Sequence, residues 1–169
     1  MIGQQIADIA LKYVGETEKP NNSGFNDADF EKRMKETGWV KGASWCAYFC
    51  ELVWKEAYKS SPETVALDKL FSGSATANYK NFDLAHGWEV GQTPKIGALS
   101  VWRHGNGWQG HIGIVTGIGQ NGAYNTIEGN TNDVGGREGY IVAKKTRHLN
   151  QPYSATGLNL IGFVYPKEI

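Results

Sequence analysis

The stretch 111-HIGIVTGIGQNGAYNTIEG-129 admits two incompatible readings, and the choice between them decides the fold. Within it, 117-GIGQNG-122 matches G-x-G-x-x-G, the pattern that seats a pyrophosphate on the N-terminus of a following helix. That reading needs a helix after the glycines, and the residues that follow, AYNTIEG, have the β-branched and aromatic character of a strand. Asn121-Gly122 is moreover a strong hairpin-turn pair, because both residues tolerate positive φ. The stretch therefore reads as two antiparallel strands, 111–118 and 122–129, joined by a turn. The outer ends of such a hairpin face each other, which brings Glu128 and Asn130 towards His111.

Around this hairpin the segments 97-GALSVWR-103, 139-GYIVAKKT-146 and 159-NLIGFVYP-166 are short, β-branched or aromatic, and bounded by glycine, so they too read as strands. Before Pro94 the periodicity is helical. Ile2, Ile6, Ile9, Ala10, Tyr13 and Val14 recur at helix spacing up to Gly15. Residues 16–26 read as a loop, 27–37 as a second helix and 45–58 as a third. Shorter helices follow from Ser61-Pro62 to about Phe71 and from Ser74 to about Phe82. Helices first and strands second predict an α+β fold with an antiparallel sheet. The chain of 169 residues suits one domain spanning 1–169.

Bulk chemistry removes several function classes. Seventeen basic and seventeen acidic residues leave no net charge, and no basic block or arginine stripe supports nucleic-acid binding. No apolar run approaches the roughly 20 residues of a membrane helix, so no membrane insertion is expected. The amphipathic N-terminus lacks the pattern of a signal peptide, which predicts a soluble monomer made in the cytoplasm. Two cysteines cannot build a disulfide framework, and no zinc spacing surrounds them.

Those two cysteines lie in 43-ASWCAYFCELVW-54. Cys50 reads as helix packing. Cys46 stands in the first turn, where unpaired N–H groups and the helix dipole favour a thiolate. A nucleophilic cysteine needs a histidine nearby in space. The candidates are His86, His104, His111 and His148, and His111 is singled out by its place at the start of a strand. A strand-end histidine bonded to a carbonyl is the ordinary alternative. Glu128 at the facing strand end would fix the imidazole tautomer and stabilise the imidazolium.

Taken in order, SWCAYF, GHIGIVTG and TIEGNTN resemble the CHAP peptidoglycan hydrolases (cysteine, histidine-dependent amidohydrolases/peptidases), relatives of NlpC-type enzymes with papain-like folds. The resemblance runs from about Ile6 to Tyr165. It implies Cys46 as nucleophile, His111 as base, Glu128 as orienting acid and Asn130 as an auxiliary polar residue. It further implies an amidase or endopeptidase that cleaves an amide of the bacterial wall through a thioester, with no cofactor. The chain departs from the family at Gly97-Ala98, where Gly-Asp is frequent. Asp27, Asp29 and Glu31 lack the glycine-centred loop of a calcium site, so no metal is expected. Trp45, Tyr48 and Trp108 are candidates for the substrate groove, whereas Trp102 is expected in the core. Without a signal peptide, such a hydrolase would reach the wall through phage-type lysis or a secretion apparatus, and an antibacterial effector would imply a cognate immunity protein. A cysteine amidase or isopeptidase acting on another amide, and a non-catalytic binding module, are the competing classes.

Overall fold

The computed structural model describes residues 1–132 and 139–169. Helix α1 (Ile2–Lys12) buries Ile2, Ile6, Ile9 and Ala10 along one side, as its apolar spacing requires. A loop with one turn of 3-10 helix at Pro20–Asn22 leads to α2 (Ala28–Glu36). Asp27 caps α2: the Phe30 N–H donates to its Oδ1 at 2.7 Å. Asp29 and Glu31 pair with Arg33 and Lys35 one turn on, at 2.8 and 2.6 Å. The three acids of the candidate calcium segment thus start and brace a helix.

Helix α3 (Cys46–Tyr58) is buried on nearly all sides and touches the other helices as well as the sheet. Its Trp54 packs on Tyr58, Phe71, Phe82 and Trp88, with ring centroids 5.7–6.0 Å apart. Burying an aromatic side chain this completely is worth about 1.5–3 kcal/mol, which makes α3 the anchor of the helical layer. The Trp54 indole N–H donates to the Gly97 carbonyl at 3.2 Å and so ties that layer to the sheet. Two shorter helices, α4 (Glu63–Leu70) and α5 (Ala75–Leu84), close it. Ser61 accepts the Glu63 N–H ahead of α4, and Ser74 caps α5 through the Ala77 N–H.

The sheet comprises β1 (Glu89–Gly91), β2 (Leu99–His104), β3 (Gly110–Ile118), β4 (Ala123–Thr131), β5 (Ile141–His148) and β6 (Leu158–Tyr165). Its order is β1-β6-β2-β3-β4-β5, and every neighbouring pair is antiparallel. The expected hairpin is β3–β4, with Ile114 opposite Ile127 and Val115 opposite Thr126. Asn121 and Gly122 both adopt positive φ, 55° and 79°, in its turn. A strand, not a helix, follows the glycines, which excludes the dinucleotide reading. Strand β1 was not expected. Its three residues carry too little pattern, and its partner β6 lies some seventy residues away in sequence.

Alternation sorts the sheet into two faces. Leu99, Val101, Ile112, Ile114, Ile127, Val142 and Val164 join the helices in the main core. On the other face Ala98, Trp102, Val115, Tyr124 and Phe163 form a smaller apolar cluster. Ala98 is fully buried there, an environment that suits an apolar residue at this position better than a charged one.

Candidate active site

Cys46 is the first residue of α3, carries a free thiol and is only 6% exposed. Trp45 occupies the N-cap position but makes no capping hydrogen bond. The amides of the first turn therefore remain available beside the sulfur. Across from it, His111 lies on β3 directly opposite Trp102 of β2, and the two rings stack at 5.8 Å with 25° between planes. His111 Nε2 is 2.7 Å from Glu128 Oε2. The Cys46 thiol lies close enough to the same imidazole to contribute to its raised pKa. With Nε2 given to the carboxylate, Nδ1 is the ring atom left for the sulfur.

Glu128 reaches His111 because the residue facing it on β3 has no side chain. A Cβ at Gly113 would sit 2.5 Å from Glu128 Cγ, in the space the glutamate crosses. The next residue, Gly129, allows a second close approach. A Cβ there would meet Phe49 at 2.7 Å and the Trp45 ring at 2.8 Å, so α3 seats directly on the β4 backbone. Gly129 thus sets how closely the helix that carries Cys46 approaches β4, while Gly113 leaves the path by which Glu128 reaches His111.

Glu128 is fully buried yet well satisfied. Thr126 Oγ1 donates to Oε1 at 2.5 Å, Arg147 Nε donates to Oε1 at 2.8 Å, and Arg147 Nη2 donates to Oε2 at 2.6 Å. Burial opposes ionisation, but the His111 charge and the Arg147 hydrogen bonds outweigh it and hold the carboxyl well below the usual range. For His111 burial likewise disfavours the charged form. The Glu128 charge, the interaction with Cys46 and the hydrogen bond to Glu128 reverse that, and the imidazolium pKa is raised to about 9. Cys50, one turn below Cys46, is fully buried, and burial pushes its thiol far up. The site thus combines a first-turn thiol, an imidazole of raised pKa and a carboxylate held ionised at neutral pH, a set capable of nucleophilic acyl transfer.

The other candidates divide. Trp45 is fully buried, edge-on to Phe25 at 5.0 Å and near Phe30 at 6.2 Å. This corrects its assignment to the groove: the ring turns into the core towards α2. Trp102 is buried as expected. Trp108 is 77% exposed in the β2–β3 loop, and its carbonyl accepts the Thr76 hydroxyl at 2.9 Å, which ties the loop to α5. Tyr48 is half-buried, with its hydroxyl packed over Gly73. Asn130 is half-exposed and has φ of 51°, where the β4–β5 register slips between Glu128 and Thr131. Its visible contribution is to the backbone, since asparagine tolerates that conformation better than most residues.

Sequence reasoning missed Arg147. The strand 139–146 was legible, but its next residue reaches Glu128 only because Arg147 lies opposite Tyr124 on β4, and Thr126 and Glu128 follow Tyr124 at every second position on the same face. The available signal was indirect: a buried carboxylate requires a cation. Among the described residues, no cluster of His, Cys, Asp and Glu is placed to hold a metal ion, and no helix is long and apolar enough to cross a membrane.

Known proteins add the family. The CHAP domain model matches residues 37–130, more than half the chain, and the matched span holds Cys46, His111, Glu128 and Asn130. The chain belongs to the CHAP domain family, and its helices and antiparallel sheet form the papain-like α+β arrangement. Membership makes it a hydrolase of the amidase or peptidase class. No curated protein matches the chain.

Proposed function

We propose that this protein hydrolyses an amide bond of bacterial peptidoglycan, with Cys46 as nucleophile, His111 as general base and acid, and Glu128 as the group that orients and charges His111. The observation that carries the reading is the single imidazole held at 2.7 Å by a buried Glu128 and lying within electrostatic reach of the Cys46 thiol at the start of α3. His111 takes the thiol proton and the thiolate attacks the carbonyl carbon. Negative charge moves to the carbonyl oxygen, where the uncapped Cys46 N–H at the helix start is one donor. Collapse breaks the C–N bond, and the His111 imidazolium gives its proton to the departing amine. The thioester is then attacked by water, whose proton returns to His111, and the acid and free thiol are released. Glu128 stays ionised throughout.

Support for the wall as substrate comes from family membership and from the exposed Trp108, three residues before His111, which suits a sugar or peptide surface. Purified peptidoglycan digested by the protein and analysed by mass spectrometry tests the reading. Fragments bearing a new amine and a new carboxylate, with no new reducing sugar ends, are expected. Turnover of small amides with intact peptidoglycan would overturn the choice of substrate.

A further inference from the structure

We propose that Arg147 is a positioning residue of this site, a single guanidinium that fixes both groups on which His111 depends. The inference rests on the catalytic reading given above for Cys46, His111 and Glu128. Arg147 lies on β5, beyond residues 37–130 that define the family match.

Its first hold is on the carboxylate. Nε and Nη2 donate to different oxygens of Glu128, at 2.8 and 2.6 Å, in the fork geometry only arginine supplies. Oε2 is thereby shared between Arg147 and His111 Nε2, and Oε1 between Arg147 and Thr126. With both oxygens held, the carboxylate plane cannot rotate away from the imidazole. The second hold is on the indole. The Arg147 guanidinium carbon lies 4.8 Å from the Trp102 ring centroid, and this is the ring on which His111 stacks. His111 is thus fixed at its edge by Glu128 and across its face by Trp102, and Arg147 touches both.

The fork also resolves a conflict of charge. A fully buried carboxylate serving only a histidine would gain a proton readily, because burial disfavours its charged form. A half-buried cation beside it keeps it ionised, while the bidentate pairing directs that positive charge at Glu128. The titratable groups around the Glu128–Arg147 pair are His111 on β3, Tyr124 on β4 and Cys50 on α3, with Cys46 on the far side of His111.

The test uses the full chain with Arg147→Met, Arg147→Lys, Glu128→Gln and the Glu128→Gln/Arg147→Met double variant. Two quantities are followed against pH: alkylation of Cys46 by iodoacetamide, and kcat and KM on peptidoglycan. Thermal melts verify folding. In Arg147→Met the acid limb of both rates should move up by roughly one pH unit or more, as Glu128 loses its cation. Its kcat should fall by up to about 10²-fold, the scale of a misplacement of about 1 Å, with KM little changed. Arg147→Lys keeps the charge without the fork, so its acid limb should stay near wild type while kcat falls severalfold. In the Glu128→Gln background, Arg147→Met should add less than about twofold, since the two act as one unit.

An unmoved acid limb in folded Arg147→Met, full wild-type kcat in Arg147→Lys, or multiplicative losses in the double variant would each overturn the inference. If Arg147→Met does not fold, the Lys variant decides by the same criterion, with the alkylation rate at neutral pH standing beside kcat. Alkylation needs no substrate. Failure to cut peptidoglycan would therefore fall on the substrate assignment, and the alkylation profiles would still decide the role of Arg147.

Discussion

The two cysteines of one helix show how environment assigns chemistry to identical side chains. Cys46 lies at the helix start within electrostatic reach of His111, while Cys50 is sealed in the core with its thiol pushed far up by burial. Iodoacetamide at neutral pH should therefore modify Cys46 at least on the order of 10²-fold faster than Cys50 in the folded protein, read by peptide mass spectrometry. Equal rates would contradict an activated Cys46. The nearness of His111 and Glu128 was legible in the sequence because a hairpin register can be read from its turn, whereas Cys46 was legible only as a first-turn cysteine. Trp45 was not legible. A tryptophan before a first-turn cysteine can face the cleft or the core, and only the packing of Phe25 and Phe30 decides it. Arg147 escaped for a related reason, since its partner is set by the pairing of β5 with β4, which no turn signal announces.

At the scale of elements, the site depends on how closely α3 approaches the β3–β4 hairpin. Gly129→Ala places a Cβ 2.7–2.8 Å from Phe49 and Trp45, both fully buried and unable to yield cheaply. A loss of about 1–3 kcal/mol in unfolding free energy is expected from denaturant titration, with reduced activity as α3 lifts from β4. Gly113→Ala places its Cβ 2.5 Å from Glu128 Cγ, so it should impair catalysis more than stability by pushing the carboxylate off His111. Wild-type behaviour in both would show that neither approach matters. Among the described residues, the five α-helices and five of the six strands were legible, because caps, apolar spacing and glycine punctuation act locally. Strand β1 and the 3-10 turn at Pro20–Asn22 were not, since each is three residues long and is shaped by what surrounds it.

For the whole molecule, a formally neutral charge balance gives no long-range field, and stability against pH is governed by a few buried groups. Burial raises the Glu51 carboxyl to about 7, against the opposing attraction of Lys55 3.6 Å away. A raised folded pKa means that the folded state holds this proton more tightly. Its contribution is full below about 4.3 and is lost as pH rises through 7. The Tm of Glu51→Gln relative to wild type should therefore increase between pH 5 and pH 8, and a constant difference would contradict a protonated Glu51. The His111–Glu128 pair behaves differently. With His111 raised to about 9, its share is lost as pH climbs through that value. With Glu128 depressed, its share is lost as pH falls below about 4.3. Helix, hairpin and β5 together deliver one thiol to one imidazole, and the most direct measurement of that outcome is lysis of purified cell walls by the wild type and by Cys46→Ala, followed as loss of turbidity at equal concentration of folded protein. Wild type is expected to clear the walls and Cys46→Ala to leave them intact; equal clearing by both, or none by either on walls from several species, would contradict a Cys46-dependent wall hydrolase.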